Sequence, residues 1–177
     1  MRSFFNLLCL FFASGFGVSF LIFSLVSRIK NLSFCSLPER WMGTGLGGSL
    51  LAFFLIYFGI EIRGWNGFFF LLFLTLFSIF VSEKAEQILK NKDDTRIVID
   101  EIIGFFWSVA FLPHLFYASH KIFLLILGLI LFRIFDVFKL PLKNVQNLKG
   151  GLGVVLDDFL AGLLTNLVLQ ILIQFFL

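Results

Sequence analysis

Asp157 and Asp158 stand side by side in residues 152–177, an apolar run that holds no Lys or Arg. Two adjacent carboxylates in such a run are costly unless something positive compensates them. The candidates are a divalent cation or Arg133 from a neighbouring helix. Asp100 and Glu101 form a second acidic pair, set between Ile97-Val98-Ile99 and Ile102-Ile103. A solvated helix start would explain that pair, since acids favour the positive end of the helix dipole, but the isoleucines on both sides argue for partial burial. Gly104 and Gly162 follow Asp100 and Asp158 at a spacing of four. On a helix that spacing sets a gap beside each carboxylate. A third seam, Arg133-Ile-Phe-Asp136-Val-Phe-Lys139, repeats every three residues and so shares one helical face. Arg133 and Asp136 can simply neutralise each other, and Lys139 can reach to a headgroup region. In the functional alternative Arg133 and Lys139 bind phosphate while Asp136 joins a metal. Carboxylates without His or thiolate partners suit a hard cation, so the expected metal is Mg2+ rather than Zn2+, with Asp100, Glu101, Asp136, Asp157 and Asp158 as candidate ligands.

The run Gly43-Thr-Gly-Leu-Gly-Gly48 matches G-x-G-x-x-G, but no strand or βαβ unit surrounds it, so a dinucleotide site is rejected. Two readings remain. One is a glycine-rich helix start. The other is an anion site in which backbone N–H groups, helped by Thr44 and Ser49, hold a phosphate. Other chemistries fit poorly. A cysteine-phosphatase loop needs Arg six residues after its Cys, and Trp41 stands there after Cys35. His114 and His120 are the only histidines and lie away from the basic seams. Asp93 and Asp94 fall in a charged loop and read as a solvated face.

These residues must be positioned by apolar elements. The chain of 177 residues is 59% hydrophobic and 14% charged, with 28 Phe, against about a quarter charged in soluble domains. It reads as an all-α, multi-pass integral membrane protein of about six hydrophobic helices. The segments are 4–27, 43–62, 68–81, 97–119, 122–138 and 152–177. A five-span or re-entrant arrangement is the alternative, because 43–62 is short once its glycines are discounted. Gly15 and Gly17 allow a kink or a close helix approach in the first segment, and His120-Lys121 marks a tight turn. The loops 28–42, 82–96 and 139–149 carry three, four and three basic residues and fall on one side. By the positive-inside rule that side is cytoplasmic, and the acidic seams lie next to it. Net charge +3 suits loops beside anionic lipid. Nucleic-acid binding is not expected, for want of a basic patch on a soluble surface. Residues 1–42 form an N-terminal span and polar loop, and 43–177 the functional unit.

The motifs I-V-I-D-E-I-I-G (97–104), F-R-I-F-D-V-F-K (132–139) and G-G-L-G-V-V-L-D-D-F-L-A-G (150–162) resemble those of the phosphatidylglycerophosphatase A family. Gly43-Thr44 with Gly48-Ser49-Leu50 resembles its N-terminal motif, although Met42 replaces a Pro and the spacing is longer. The resemblance implies an Mg2+-dependent enzyme of the bacterial inner membrane, with its motifs at the cytoplasmic rim. Its reaction would remove the terminal phosphate of phosphatidylglycerophosphate to give phosphatidylglycerol. Asp100, Glu101, Asp157 and Asp158 would be catalytic and would hold metal with Asp136. Arg133, Lys139, Thr44 and Ser49 would bind the substrate phosphate. The expected partners are this lipid and the surrounding phospholipids. The competing class is a small transporter or channel using intramembrane carboxylates for a cation or protons.

Overall fold

The structure is a computed structural model, and it describes residues 2–22, 24, 44–92, 94–138, 148 and 150–176. Lys139 and the basic loop 28–42 lie outside the described residues. Every regular element within them is an α-helix: α1 (Arg2–Ala13), α2 (Thr44–Tyr57), α3 (Gly64–Leu89), α4 (Ile99–Val109), α5 (His114–Phe138) and α6 (Gly151–Phe176), with a further helical stretch at 18–22. Two of them, α3 and α6, are long and apolar enough to cross a membrane.

α4 is the centre of the bundle. All of its residues except Glu101 are buried, as expected for a helix that is apolar all round. It packs most extensively on α6 and also on α2, α3 and α5. Phe105 meets Phe132 of α5 edge-on at 6.2 Å, and Trp107 meets Phe159 of α6 at 5.1 Å. Trp107 Nε1 donates to Thr75 Oγ1 on α3 at 3.0 Å, so the ring's polar atom is satisfied inside the core. The outer face of α3 carries Trp65, Phe69, Phe73, Leu76 and Phe80, all exposed.

The helices divide the sequence differently from the expected spans at four places, the first being α3, which runs on to Leu89 through the first half of the expected loop 82–96. Residues 4–27 are not one helix. The chain leaves α1 after Ala13, and Gly15, Phe16 and Gly17 take left-handed φ of 59°, 59° and 85°. Glycine adopts that conformation without steric penalty. Phe16 is held in it by edge contacts with Phe11 and Phe12. Residues 97–119 are not one helix either. α4 stops at Val109, Phe111 turns left-handed at φ 58°, and Pro113 bars the continuation. At 11 residues, α4 rises about 16 Å, roughly half of a bilayer's hydrocarbon thickness. The turn expected at His120 appears as a kink inside α5, where φ is −124° and ψ 26°.

A helix ending in an apolar interior leaves carbonyls that need donors. Asn166 of α6 supplies them: its Nδ2 donates to Ser108 O at 3.1 Å and to Ala110 O at 2.7 Å. Asn166→Leu should therefore destabilise the protein by about 2–4 kcal/mol, since each buried carbonyl left without a donor costs about 1–3 kcal/mol. Denaturant or thermal unfolding in detergent checks this. A variant as stable as wild type would mean that the carbonyls find other donors.

Candidate metal and phosphate site

The site lies where α2, α4 and α6 begin and α5 ends. Three backbone contacts fix the segment leading into α4. Val98 N donates to Ala13 O at 2.8 Å, Ser19 Oγ donates to Arg96 O at 2.7 Å, and Thr44 Oγ1 donates to Thr95 O. The strap 95–98 is thus tied to the broken first helix on one side and to α2 on the other. Asp94, expected to be a solvated acid, is buried. Arg96 Nε and Nη2 donate to its two oxygens at 2.7 and 2.8 Å, and Asn91 Nδ2 donates at 3.1 Å. The Arg96 side-chain bonds, with smaller help from its backbone N–H and from Asn91, hold the Asp94 carboxyl down from 3.8 to about 2 despite its burial. A carboxyl depressed in the folded state adds stability above its unfolded value and loses it as pH falls. Stability should accordingly drop between about pH 4 and 2, and Asp94→Asn should flatten that fall while lowering stability at neutral pH. Acid titration of thermal unfolding in detergent tests it, and superimposable profiles would refute it.

Asp100 and Glu101 occupy the first turn of α4, where the dipole favours acids. Asp158 faces them from the second turn of α6. One carboxylate oxygen from each of Asp100, Glu101 and Asp158 lies within 4.8 Å of the others. Asp100 and Asp158 are buried, and the Glu101 Oε2 atom is buried without a hydrogen-bond partner. What brings the two helices together is the glycine pair that follows the acids. A Cβ built on Gly162 would lie 2.2 Å from Gly104 O, and one on Gly104 would lie 2.7 Å from Asp158 O. The gap read from the spacing of four is filled by the backbone of the opposing helix.

Arg133 and Asp136 pair at 2.7 Å (Nη1 to Oδ2), both largely buried. Arg133 Nη1 and Glu101 Oε1 both border the same small space beside Gly45 of α2, so the guanidinium adjoins the acid cluster. Asp157 is half-buried and is not one of the three clustered acids. Neighbouring residues on a helix point about 100° apart, so only one of Asp157 and Asp158 can face α4. Ser49 Oγ donates to Gly45 O at 3.1 Å. The protons of Thr44 and Ser49 are therefore both directed to backbone carbonyls. Gly150 turns at φ +75°, while Gly151 and Gly153 lie in the first turn of α6. A Cβ on Gly151 would sit 2.1 Å from Ile79 O of α3. Sequence reasoning missed Gly45 and the Asp94–Arg96 pair. Spacing carried no signal for the glycine, and the acid lay in a loop that looked uniformly charged.

The donor set tests well against a divalent cation. All three clustered groups are carboxylates, none is His or Cys, and the neighbouring guanidinium is already paired with Asp136. Oxygen donors of this kind suit hard cations.

Fold and site together define a helical protein with a largely apolar exterior and a buried carboxylate centre able to hold a metal ion beside a guanidinium. The chain belongs to the phosphatidylglycerophosphatase A family, whose pattern matches residues 11–173. This is a family of lipid phosphatases. A protein of Bacteroides thetaiotaomicron that carries the name of a phosphatidylinositol-3-phosphatase is 29% identical over 133 residues, covering 72% of this chain and 81% of its own. No solved structure matches the chain.

Proposed function

We propose that the protein is a membrane-embedded, Mg2+-dependent phosphatase that converts phosphatidylglycerophosphate into phosphatidylglycerol at the cytoplasmic face of a bacterial inner membrane. The observation that carries this reading is the meeting of Asp100, Glu101 and Asp158 beside Arg133. Family membership supplies the class of reaction. The apolar outer face of α3 and the length of α3 and α6 support embedding in lipid.

In this reading Asp100, Glu101 and Asp158 hold the cation, with Asp136 and Asp157 at its edge. When bound, the ion neutralises phosphate oxygens and acidifies a bound water. Arg133 takes the substrate phosphate through its guanidinium, whose planar fork suits phosphate oxygens. Asp136 orients that guanidinium, and Lys139, three residues further along the chain, adds positive charge. Thr44 and Ser49 hold the N-terminal turn of α2, whose backbone N–H groups face the anion. Asp157 accepts a proton from the attacking group on a carboxylate oxygen. The apolar residues below the acids exclude water, which strengthens every charge interaction in the site.

The test is phosphate release by the purified protein in detergent from phosphatidylglycerophosphate and from phosphatidylinositol 3-phosphate, with Mg2+ and with EDTA. Mg2+-dependent release from the first lipid, faster than from the second, is expected. Preference for the second would transfer the name of the Bacteroides relative to this chain. No release from folded protein with either lipid would sink the phosphatase reading and favour cation transport.

A further inference from the structure

The glycines around the site differ in what closes them, and Gly47 is closed by the Ile22 side chain, 1.9 Å from its built Cβ. A Cβ on Gly48, Gly104, Gly151, Gly153 or Gly162 would meet backbone atoms of a neighbouring segment at 2.1–2.8 Å. Those positions are closed by the fold itself. Gly45 differs. A Cβ there would meet Glu101 Oε1 at 2.2 Å, Glu101 Cδ at 3.2 Å and Arg133 Nη1 at 3.3 Å. Its nearest neighbours are the tips of two flexible, charged side chains, both of which belong to the acid and guanidinium cluster. Gly45 itself is helical, in the first turn of α2, and is buried.

We propose that Gly45 is a positioning residue: its missing side chain is the space into which the Glu101 carboxylate fits, next to Arg133, so that Glu101 can share a cation with Asp100 and Asp158. The inference rests on the cation reading above. Adding a methyl group here leaves the helix backbone intact, because Ala is a better helix former than Gly. The strain falls on the Glu101 side chain, which must swing its carboxylate out of the cluster. Shortening that side chain by one methylene, as in Glu101→Asp, withdraws the colliding oxygen from the space the methyl group needs. The two substitutions should therefore compensate each other, which a purely structural glycine would not show.

The probe is Mn2+ alone, titrated into the full-length protein in detergent and followed by the loss of its free-ion EPR signal. Thermal unfolding is recorded in parallel by circular dichroism. Gly45→Ala should keep its helical melt and weaken Mn2+ binding about 10- to 100-fold, the range found when a residue supporting a ligand is lost. Gly45→Ala with Glu101→Asp should bind Mn2+ more tightly than Gly45→Ala alone. Unchanged binding in Gly45→Ala overturns the proposal, as does a double variant no better than the single one. Failure of Gly45→Ala to fold overturns it as well, since the collision is confined to side-chain tips. Wild-type protein that binds no Mn2+ overturns the cation reading itself, and the role of the glycine with it.

Discussion

Asp158→Asn is expected to abolish phosphate release, by about a thousandfold or more, while the protein stays folded. The residue is buried and is one of the three acids whose carboxylate oxygens lie within 4.8 Å of one another. Losing a preorganised charge in a water-excluded site costs about 10²–10³ in rate, and loss of a metal ligand adds to it. Amide for carboxylate keeps the shape, so the α4–α6 contact persists. In EDTA the variant should melt at or above the wild-type temperature, because one of several crowded negative charges has gone. Three readouts are needed: phosphate release, Mn2+ binding and thermal unfolding. Wild-type turnover with Asn at this position would remove Asp158 from the site. Asp157→Asn is the informative contrast. As the proposed proton acceptor it should lose turnover yet keep Mn2+ binding, since Asp157 stands outside the three-acid contact.

Gly162→Ala should be strongly destabilising. The added methyl group would lie 2.2 Å from Gly104 O and 3.1 Å from Gly104 C. Overpacking a core usually costs about 1–3 kcal/mol because side chains rearrange. Here the obstacle is backbone in the most extensively packed helix pair, and no rotamer change relieves it. A loss of about 3 kcal/mol or more is expected on that basis. The shift that accommodates the methyl group must also part Asp158 from Asp100 and Glu101. Unfolding in detergent measures the first effect and Mn2+ binding the second. Wild-type stability in the variant would mean that the two helices can separate at no cost.

Much of the site was legible because burial of charge has few solutions. Asp100, Glu101 and Asp158 were picked out as acids in apolar runs, and they meet in space. The spacing of Gly104 and Gly162 behind the acids also carried meaning, although its purpose is helix contact rather than open room. Composition was enough for the all-helical fold. The helix boundaries were less legible. The break at Gly15–Gly17 and the stop after Val109 lie inside runs that stay apolar throughout, so hydropathy cannot show them. Pro113 was the one local signal for the second. Asp94 was misread because its partner Arg96 is two residues away, a spacing that pairs charges only once the backbone turns. Gly45 was invisible for a related reason: what fills the space beside it comes from α4 and α5, far away in sequence.

The shortness of α4 has a consequence for the direction of traffic. The helix carries its acids at one end, and below them lie Phe105, Phe106, Trp107 and Val109, all buried. The far end is closed by the turn through Phe111 and Leu112, with Phe111 N bonded to Ile62 O at 3.2 Å. Among the described residues, the acid centre therefore has an apolar floor. On the proposed reading, the lipid headgroup and the released phosphate would then use the same side of that floor. A phosphatase working in this way would move no net charge across a bilayer, and its rate should not respond to membrane voltage.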